Sequence, residues 1–269
     1  MKASRAKRPD SGYDLLARYY ELEYRDYDLD IDFYCQLIRR TGGPFLDLGC
    51  GTGRVALAVA AITGCEAVGI DSSEAMLSIG RGKTRKNVQL LAGDMRTFEL
   101  RRAFPLIAVT LNSFMHLIRM DDQLSALRRV AAHLAAGGSF VISTINPYSV
   151  SLQDTESKLI HEFTLPDVQA GSQVTKLSAR EVDTAAQVEH VTFFYDELKD
   201  GTVSRTVAEL DFRYTYRYEL RLLLEQAGLT VVREYGSYDL EPYELTSPAL
   251  IMVADHAPQA GASNPGRGR

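Results

Sequence analysis

Three glycines alternate with other residues just after a short apolar run. The stretch FLDLGCGTGR places Asp47 ahead of Gly49, Gly51 and Gly53. Such a bare turn between a strand and a helix exposes backbone N–H groups and admits a ligand where a Cβ atom would collide. The third glycine of a dinucleotide fingerprint is missing, because Arg54 stands there, and the GxxxxGK[ST] phosphate loop is absent. The predicted ligand therefore need not be a pyrophosphate, and a tight turn without a ligand stays the alternative.

Two more acids follow apolar runs of the same kind. Asp71 comes after EAVGI, and Asp94 comes after QLLAG. A carboxylate at a strand end can accept hydrogen bonds from two hydroxyls at once. Each has a local alternative: Asp71 could cap the helix predicted for SSEAML, and Asp94 could be a turn residue. Met76, one turn into that helix, could pack on an aromatic ligand or belong to the core.

Few side chains in the sequence could accept or donate a proton near these acids. Among the five histidines, His116 follows the apolar run FPLIAVTL, in the segment NSFMHL. A histidine there could accept a proton or hold a substrate, although a lone histidine is more often structural. Tyr13 and Tyr20 lie on the first predicted helix, YDLLARYY, where plain packing of the rings is equally consistent with the pattern.

The positions of these residues depend on an alternation of strands and helices between residues 45 and 145. Five nearly continuous apolar strands indicate an α/β fold with a parallel sheet covered on both faces. From 151 to 215 the apolar pattern has a period of two, and KDG at 199–201 predicts a hairpin turn. We expect an antiparallel β insertion of three or four strands there, followed by a helix and two strands, of which the last is SPALIMVA.

The run LDLGCGTGR resembles the first motif of class I methyltransferases that use S-adenosylmethionine, and GIDSS, LLAGDM and VTLNSFMHL match later segments in order. The resemblance implies a Rossmann-like, seven-stranded, mostly parallel sheet in the order 3-2-1-4-5-7-6, with the last strand antiparallel. It also implies S-adenosyl-L-methionine as cofactor and S-adenosyl-L-homocysteine as product. The cofactor contacts that it implies are Tyr20, Asp47, Gly49, Cys50, Gly51, Gly53, Asp71, Ser72, Met76, Gly93, Asp94, Met95, Leu111 and Asn112.

The first helix resembles the tyrosine-bearing opening helix of small-molecule methyltransferases, including those that act on amino groups of nucleotide-linked sugars. This implies a lid over the site, with His116 and Tyr13 as catalytic residues. The insertion, with Tyr195, Arg213 and Tyr216, is expected to complete a roof over a small polar acceptor, an amine or a hydroxyl. Two other functions stay open: a cofactor-binding protein without methyl transfer, and a nicotinamide dehydrogenase, which the glycine spacing disfavours.

The composition of the chain limits the kinds of partner that it is expected to bind. The net charge is −5, and the basic ends 1–9 and 256–269 contain no acid, so the rest of the chain is more acidic still and a poor platform for nucleic acid. No apolar run reaches the ~18 residues of a membrane span. The three cysteines form no CxxC pair, which argues against a metal and for a cytoplasmic protein. We expect one domain over 10–255, two disordered tails and an oligomeric state that the sequence does not set.

Overall fold

The computed structural model describes residues 12–149 and 158–257. The first part contains α1 (Gly12–Glu23), α2 (Ile31–Thr41), β1 (Phe45–Leu48), α3 (Arg54–Thr63), β2 (Ala67–Asp71), α4 (Glu74–Arg81), β3 (Val88–Ala92), β4 (Phe104–Val109), a 3-10 turn (Ser113–His116), α5 (Met120–His133) and β5 (Leu134–Ile145). The second part contains β6 (Leu159–Asp167), β7 (Ser172–Asp183), β8 (Val188–Lys199), β9 (Thr202–Arg213), α6 (Arg217–Gln226), β10 (Leu229–Tyr235) and β11 (Ala249–His256).

Seven of these strands form one sheet in the order β3-β2-β1-β4-β5-β11-β10. The neighbours from β3 to β5 run parallel, whereas β11 pairs antiparallel with both β5 and β10. This confirms the predicted order 3-2-1-4-5-7-6 and its antiparallel last strand. All four residues of β1 are buried, as expected of a central strand covered on both faces.

Helices cover the sheet on its two faces, and each face has a core of its own. On one face Leu127 of α5 and Leu224 of α6 pack against the strands. On the other face Tyr34 of α2 and Val59 of α3 do the same, together with Leu77 of α4. The carboxyl ends of β1 to β4 thus stand at one edge of a rigid sheet, the position where open α/β sheets bind ligands.

The insertion is a separate antiparallel sheet with the strand order β6-β7-β8-β9. The predicted hairpin is confirmed, since β8 ends at Lys199 and Asp200 and Gly201 have φ values of 50° and 76°, as a two-residue turn of the primed type requires. One face of this sheet packs on α1 through an apolar cluster of Leu16, Tyr19, Leu22, Val174, Tyr195 and Ala208. Helix α1 therefore joins the insertion to the main sheet.

Some predicted boundaries differ from the structure. The stretch DDQLSALRRVAAHLAAGG predicts a helix that ends just before Gly137 and Gly138, but α5 ends at His133 and β5 begins at Leu134, whose backbone is already extended and pairs with Phe104. The predicted tail begins at 256, yet His256 is the last residue of β11. Residues 1–9, residues 258–269 and the first part of the insertion, 151–157, lie outside the described residues.

Candidate active site

A cavity of about 640 Å³ opens between α1, the insertion and the carboxyl ends of the first four strands. Thirteen of the residues expected from sequence to bind or react line it. They are Tyr13, Tyr20, Gly49, Gly51, Asp71, Ser72, Met76, Gly93, Asp94, Met95, Leu111, Asn112 and His116. The fold thus gathers in one place residues that are up to 103 positions apart in sequence, as the hydrogen bond between Tyr13 and His116 illustrates.

The glycine turn after β1 contributes backbone rather than side chains. Gly51 has a φ of +56°, and a Cβ atom there would point toward the Tyr20 ring, with the nearest ring atoms at 3.7 to 3.8 Å. Gly49 has a φ of +71°, and its Cβ atom would collide with the Ser113 side chain at 2.6 Å. Gly51 therefore keeps the space below Tyr20 open, whereas Gly49 allows the turn to pack against the loop after β4.

Asp71 ends β2 and fixes this turn. The Gly51 N–H donates to Asp71 Oδ2 at 2.7 Å, and the Ser73 N–H donates to Oδ1 at 2.8 Å. Burial raises the pKa of Asp71, while the backbone hydrogen bonds to it act in the opposite direction. Ser73, not Asp71, is the N-cap of α4, because its hydroxyl accepts from the Met76 N–H at 3.2 Å. Each Asp71 oxygen keeps acceptor capacity for a ligand hydroxyl.

Asp94, which follows β3, forms an ion pair with the side chain of Arg96. The Arg96 guanidinium donates to both carboxylate oxygens of Asp94, with Nη2 to Oδ2 at 2.5 Å, and it lowers the pKa of Asp94. Arg96 also lies 3.2 Å from Asp122 on α5. Asp94 can therefore accept a ligand N–H only with the lone pairs that Arg96 leaves free.

The loop after β4 has an unusual backbone. Leu111 and Asn112 adopt φ values of 46° and 67°, in the left-handed region that residues other than glycine seldom occupy. Ser143 of β5 holds both, through its hydroxyl to the Leu111 N–H at 3.1 Å and its carbonyl to the Asn112 N–H at 3.2 Å. Strained backbone that its surroundings fix in place is typical of ligand sites.

Tyr13 and His116 form a pair on the cavity wall. The Tyr13 hydroxyl lies 2.6 Å from His116 Nε2, and the two rings meet edge to face at 4.8 Å. Burial raises the pKa of Tyr13 well above its usual value, so the hydroxyl keeps its proton. Burial lowers the pKa of His116 to about 4, against the opposite effect of a hydrogen bond with the Asp211 backbone. We assign the ring proton to Nδ1, which leaves Nε2 to accept from Tyr13.

The insertion supplies the wall that faces the sheet edge. Phe193 and Tyr195 of β8 line the cavity, as do Leu210 and Phe212 of β9. Of the three residues expected in the roof, Tyr195 is there, but Arg213 and Tyr216 do not line the cavity. Arg213 instead donates to Gln123 at 2.7 Å and to Glu219 at 2.6 Å. Tyr216 is the N-cap residue of α6.

Comparison with known proteins finds one matching family model and several similar proteins. A family model described as a methyltransferase domain matches residues 45–138. The cypemycin N-terminal methyltransferase of Streptomyces sp is 26% identical over 215 residues, which are 80% of this chain and 83% of that protein. The dTDP-3-amino-3,6-dideoxy-alpha-D-glucopyranose N,N-dimethyltransferase of Streptomyces fradiae is 32% identical over 134 residues, 47% of this chain and 52% of that protein. Among solved structures, the CcbJ methyltransferase of Streptomyces caelestis superimposes with a TM-score of 0.78 at 25% identity, over 92% of this chain and 99% of that one.

The chain carries a methyltransferase domain at residues 45–138 and has the fold of class I S-adenosylmethionine-dependent methyltransferases. The sugar N-methyltransferase KedS8 of Streptoalloteichus sp has the same fold, with a TM-score of 0.73 at 19% identity over 96% of this chain and 98% of that one. The cavity suits the cofactor: the methyltransferase offers the open turn at Gly51 and the acceptor oxygens of Asp71 side by side, joined by a 2.7 Å hydrogen bond.

Three residues expected at the cofactor lie behind the cavity wall instead. Asp47, Cys50 and Gly53 are absent from the lining. Asp47 is fully buried; Thr110 donates to its Oδ1 at 3.2 Å, Oδ2 has no partner, and burial raises its pKa to about 7. Gly53 begins α3 with a φ of 78°, and a Cβ atom there would press on Leu90 at 3.0 Å. These residues shape the turn from behind.

Sequence reasoning missed several residues of the methyltransferase cavity, among them Glu23, Lys176 and Phe193. One signal was available for Lys176, because it occupies the inward position between the buried residues Val174 and Ser178 of β7. Within residues 12–149 and 158–257, no cluster of three or more His, Cys, Asp or Glu side chains could hold a metal ion. No helix in that part of the chain is long and apolar enough to cross a membrane.

Proposed function

We propose that this methyltransferase transfers the methyl group of S-adenosylmethionine to the nitrogen of a small amine, with a hydroxyl acceptor as the second possibility. The observation that carries the proposal is the Tyr13–His116 pair, 2.6 Å apart, on the wall of the cavity that also contains Gly51 and Asp71. Two relatives support nitrogen as the methylated atom, since their names describe N-methyl transfer. We place the reaction in the cytoplasm, in keeping with three free cysteines among the described residues.

In this proposal the cofactor site consists of the open turn at Gly51, the Asp71 carboxylate and the segment from Gly93 to Met95. Asp71 accepts from the ribose hydroxyls, and Tyr20 closes the turn from above. Asp47, Cys50 and Gly53 act on the cofactor only through the turn that they support. When bound, S-adenosylmethionine supplies an electrophilic methyl group on a positively charged sulfur.

The acceptor meets the Tyr13 oxygen, not the His116 ring. Nε2 of His116 already accepts from Tyr13, and Nδ1 carries the ring proton, so neither nitrogen has a free lone pair for the acceptor. The Tyr13 oxygen retains lone pairs and accepts an N–H of the amine, which turns the nitrogen lone pair away from Tyr13. His116 acts as a positioning residue that fixes the direction of the Tyr13 hydroxyl.

Orientation, rather than removal of a proton by His116, is the main catalytic device in this proposal. A pKa of about 4 makes His116 a weak base at neutral pH. An amine that enters uncharged is already a nucleophile, and holding two reactants in line contributes several kcal/mol to catalysis, up to about 7–11 in the best cases. The aromatic rings on the insertion wall, those of Phe193, Tyr195 and Phe212, favour the uncharged amine over its ammonium form, because burial against them disfavours a charge.

The test uses the full chain, radiolabelled S-adenosylmethionine and a panel of small amines and matched alcohols. We expect labelled product from at least one amine, with kcat about 10–100-fold lower in Tyr13→Phe while the affinity for S-adenosylhomocysteine is unchanged. Tyr218→Phe is the matched control, because Tyr218 is 68% exposed on α6. Labelling of the alcohols alone would make oxygen the acceptor atom. Cofactor binding without labelling of any acceptor would refute the proposal.

A further inference from the structure

A largely buried ion pair between Lys176 and Glu23 lies on the insertion side of the cavity. The Lys176 ammonium contacts Glu23 Oε1, and the Tyr195 hydroxyl donates to Glu23 Oε2 at 3.1 Å. Lys176 and Tyr195 are 7% and 2% exposed, and all three residues line the cavity. A buried ion pair is a weak source of stability, because desolvation offsets the attraction between the charges. Its position on a ligand cavity therefore calls for another explanation.

The two donors are held by the sheet itself. Lys176 of β7 and Tyr195 of β8 are directly opposite each other in the antiparallel register, so their side chains leave the same face side by side. The Lys176 ammonium also lies over the Phe193 ring, 4.6 Å from its centre, and near the Phe163 and Tyr195 rings at 5.8 and 5.7 Å. Both donors are thus fixed in place before any ligand arrives.

Glu23 differs from its two partners. It is the last residue of α1, and its side chain is 20% exposed. Each carboxylate oxygen receives one donor, so a single carboxylate bridges Lys176 and Tyr195. The charge of Glu23 also contributes to the raised pKa of Tyr13, which places this carboxylate within electrostatic reach of the acceptor-binding hydroxyl.

We propose that Lys176 and Tyr195 form a receptor for a carboxylate on the methyl acceptor, and that Glu23 fills this receptor until the acceptor displaces it. The inference rests on the proposed function, since it makes the substrate an amine that also carries a carboxylate. The acceptor carboxylate takes over both hydrogen bonds, its amine reaches Tyr13, and Glu23 turns toward solvent. Lys176 and Tyr195 then determine specificity, and Glu23 disfavours amines that carry no carboxylate to displace it.

The experiment compares three probes that share one scaffold: 4-aminobenzoate, 4-aminobenzamide and 4-aminophenyl phosphate. Calorimetry measures their binding to the full chain saturated with S-adenosylhomocysteine. We expect the carboxylate to bind at least about fivefold more tightly than the amide, as a charge-assisted hydrogen bond allows. Glu23→Gln should raise the carboxylate affinity about tenfold, because the competing charge is gone, and it should leave the amide unchanged. Tyr195→Phe should lower carboxylate affinity severalfold.

Lys176→Met should abolish the preference for the carboxylate, and the double variant Glu23→Gln/Lys176→Met gives the same readout without a buried unpaired charge. Lys199→Met is the control, since Lys199 is an exposed lysine of β8 outside the cavity. Equal binding of acid and amide in both wild type and Glu23→Gln would overturn the inference. So would a loss of carboxylate affinity in Glu23→Gln, or tighter binding of the phosphate. A carboxylate preference without methylation of any amine would leave the receptor standing and refute the proposed function instead.

Discussion

The proposed cofactor half and the proposed acceptor half of the cavity are built from different parts of the chain. The proposed cofactor half consists of strand ends and of turns in which some residues have positive φ values, as at Gly51 and Leu111. The acceptor half consists of side chains on α1 and on an antiparallel sheet, such as Tyr13 and Tyr195. The first kind of construction constrains residue type more tightly at neighbouring positions, because glycine adopts a φ above zero in a crowded turn without the strain that other residues incur there.

The two halves should therefore differ in how well they tolerate amino-acid substitutions. A substitution in the turn after β1 disturbs backbone that several elements share, whereas a substitution on the inward face of β7 or β8 changes one side chain. The cofactor half is thus expected to tolerate few substitutions, whereas the acceptor half is expected to tolerate more of them. Four measurements test that contrast, beginning with the largest expected effect.

Gly51→Val should abolish cofactor binding. The residue has a φ of +56°, where a β-branched side chain is strained, and the new methyl groups would enter the space below Tyr20. Calorimetric titration with S-adenosylhomocysteine measures the loss. Gly64→Val is the matched control, because Gly64 has a similar φ of +74° at the end of α3 and nothing within 4 Å of its Cβ position. If both variants bind normally, the turn is not the cofactor site.

The pH dependence of kcat tests the acceptor half. If Tyr13 and His116 only orient the amine, the rate should rise with pH through the pKa of the acceptor amine itself, because the ammonium form has no lone pair. Protonation of His116 should matter only near pH 4. Two acceptors whose amines differ by about two pKa units should give profiles displaced by the same amount.

His116→Ala should lower kcat about 10–100-fold without moving either profile. His161→Ala is the control, since His161 is exposed on β6 and hydrogen-bonds Thr164. A common midpoint near 6.5 for both acceptors, lost in His116→Ala, would make His116 the base and contradict the orienting role.

The same contrast explains how much the sequence could predict. The sheet order and the antiparallel last strand were implied by the family resemblance, which rests on the motif run at Gly49, Gly51 and Gly53 and on the segments that match in order after it. Gly-rich spacing records backbone requirements directly, so the elements around the cofactor could be placed from the residue pattern alone. The alternating pattern also predicted the insertion, since a sheet with one packed face repeats every two residues.

The acceptor half could not be predicted in the same way. Lys176 and Glu23 are 153 positions apart, and the alternation in QVTKLSAR can place the lysine on the inward face of β7 without stating that a cavity lies there. Arg213 was expected in the roof as part of the insertion, yet it donates to Gln123 and Glu219 outside the cavity. Contacts of this kind depend on how two sheets dock, and a single sequence carries no local record of that docking.

Asp71→Ala should weaken binding of S-adenosylhomocysteine by about 1–3 kcal/mol, less than Gly51→Val, because it removes acceptors but no space. Part of the loss comes from the Gly51 N–H, which donates to Asp71 at 2.7 Å and would lose its partner. Calorimetry at constant ionic strength measures the change, and Asp121→Ala on α5, where the side chain is 84% exposed, serves as control. Equal affinities in wild type and Asp71→Ala would remove the carboxylate from the cofactor site.

The smallest expected effect comes from Asp47, and it is an effect on the free energy of unfolding. Burial raises its pKa to about 7 in the folded protein, against a usual value near 3.9 for an unfolded chain. Between these values the folded state holds a proton that the unfolded state releases, so this carboxyl stabilises the fold fully below about pH 4 and loses that contribution as the pH rises through about 7.

Asp47→Asn keeps the shape but does not ionise, and its stability should therefore fall less than that of the wild type between pH 5 and pH 8. Between pH 5 and pH 8, the loss in the free energy of unfolding should be about 1–2 kcal/mol smaller in Asp47→Asn than in the wild type. One pKa unit corresponds to about 1.4 kcal/mol, and rearrangement around Oδ2 absorbs part of the shift. Urea unfolding at the two pH values measures it. Parallel pH dependences would mean that Asp47 is already ionised in the folded state at pH 5, which would contradict a carboxyl whose pKa burial has raised.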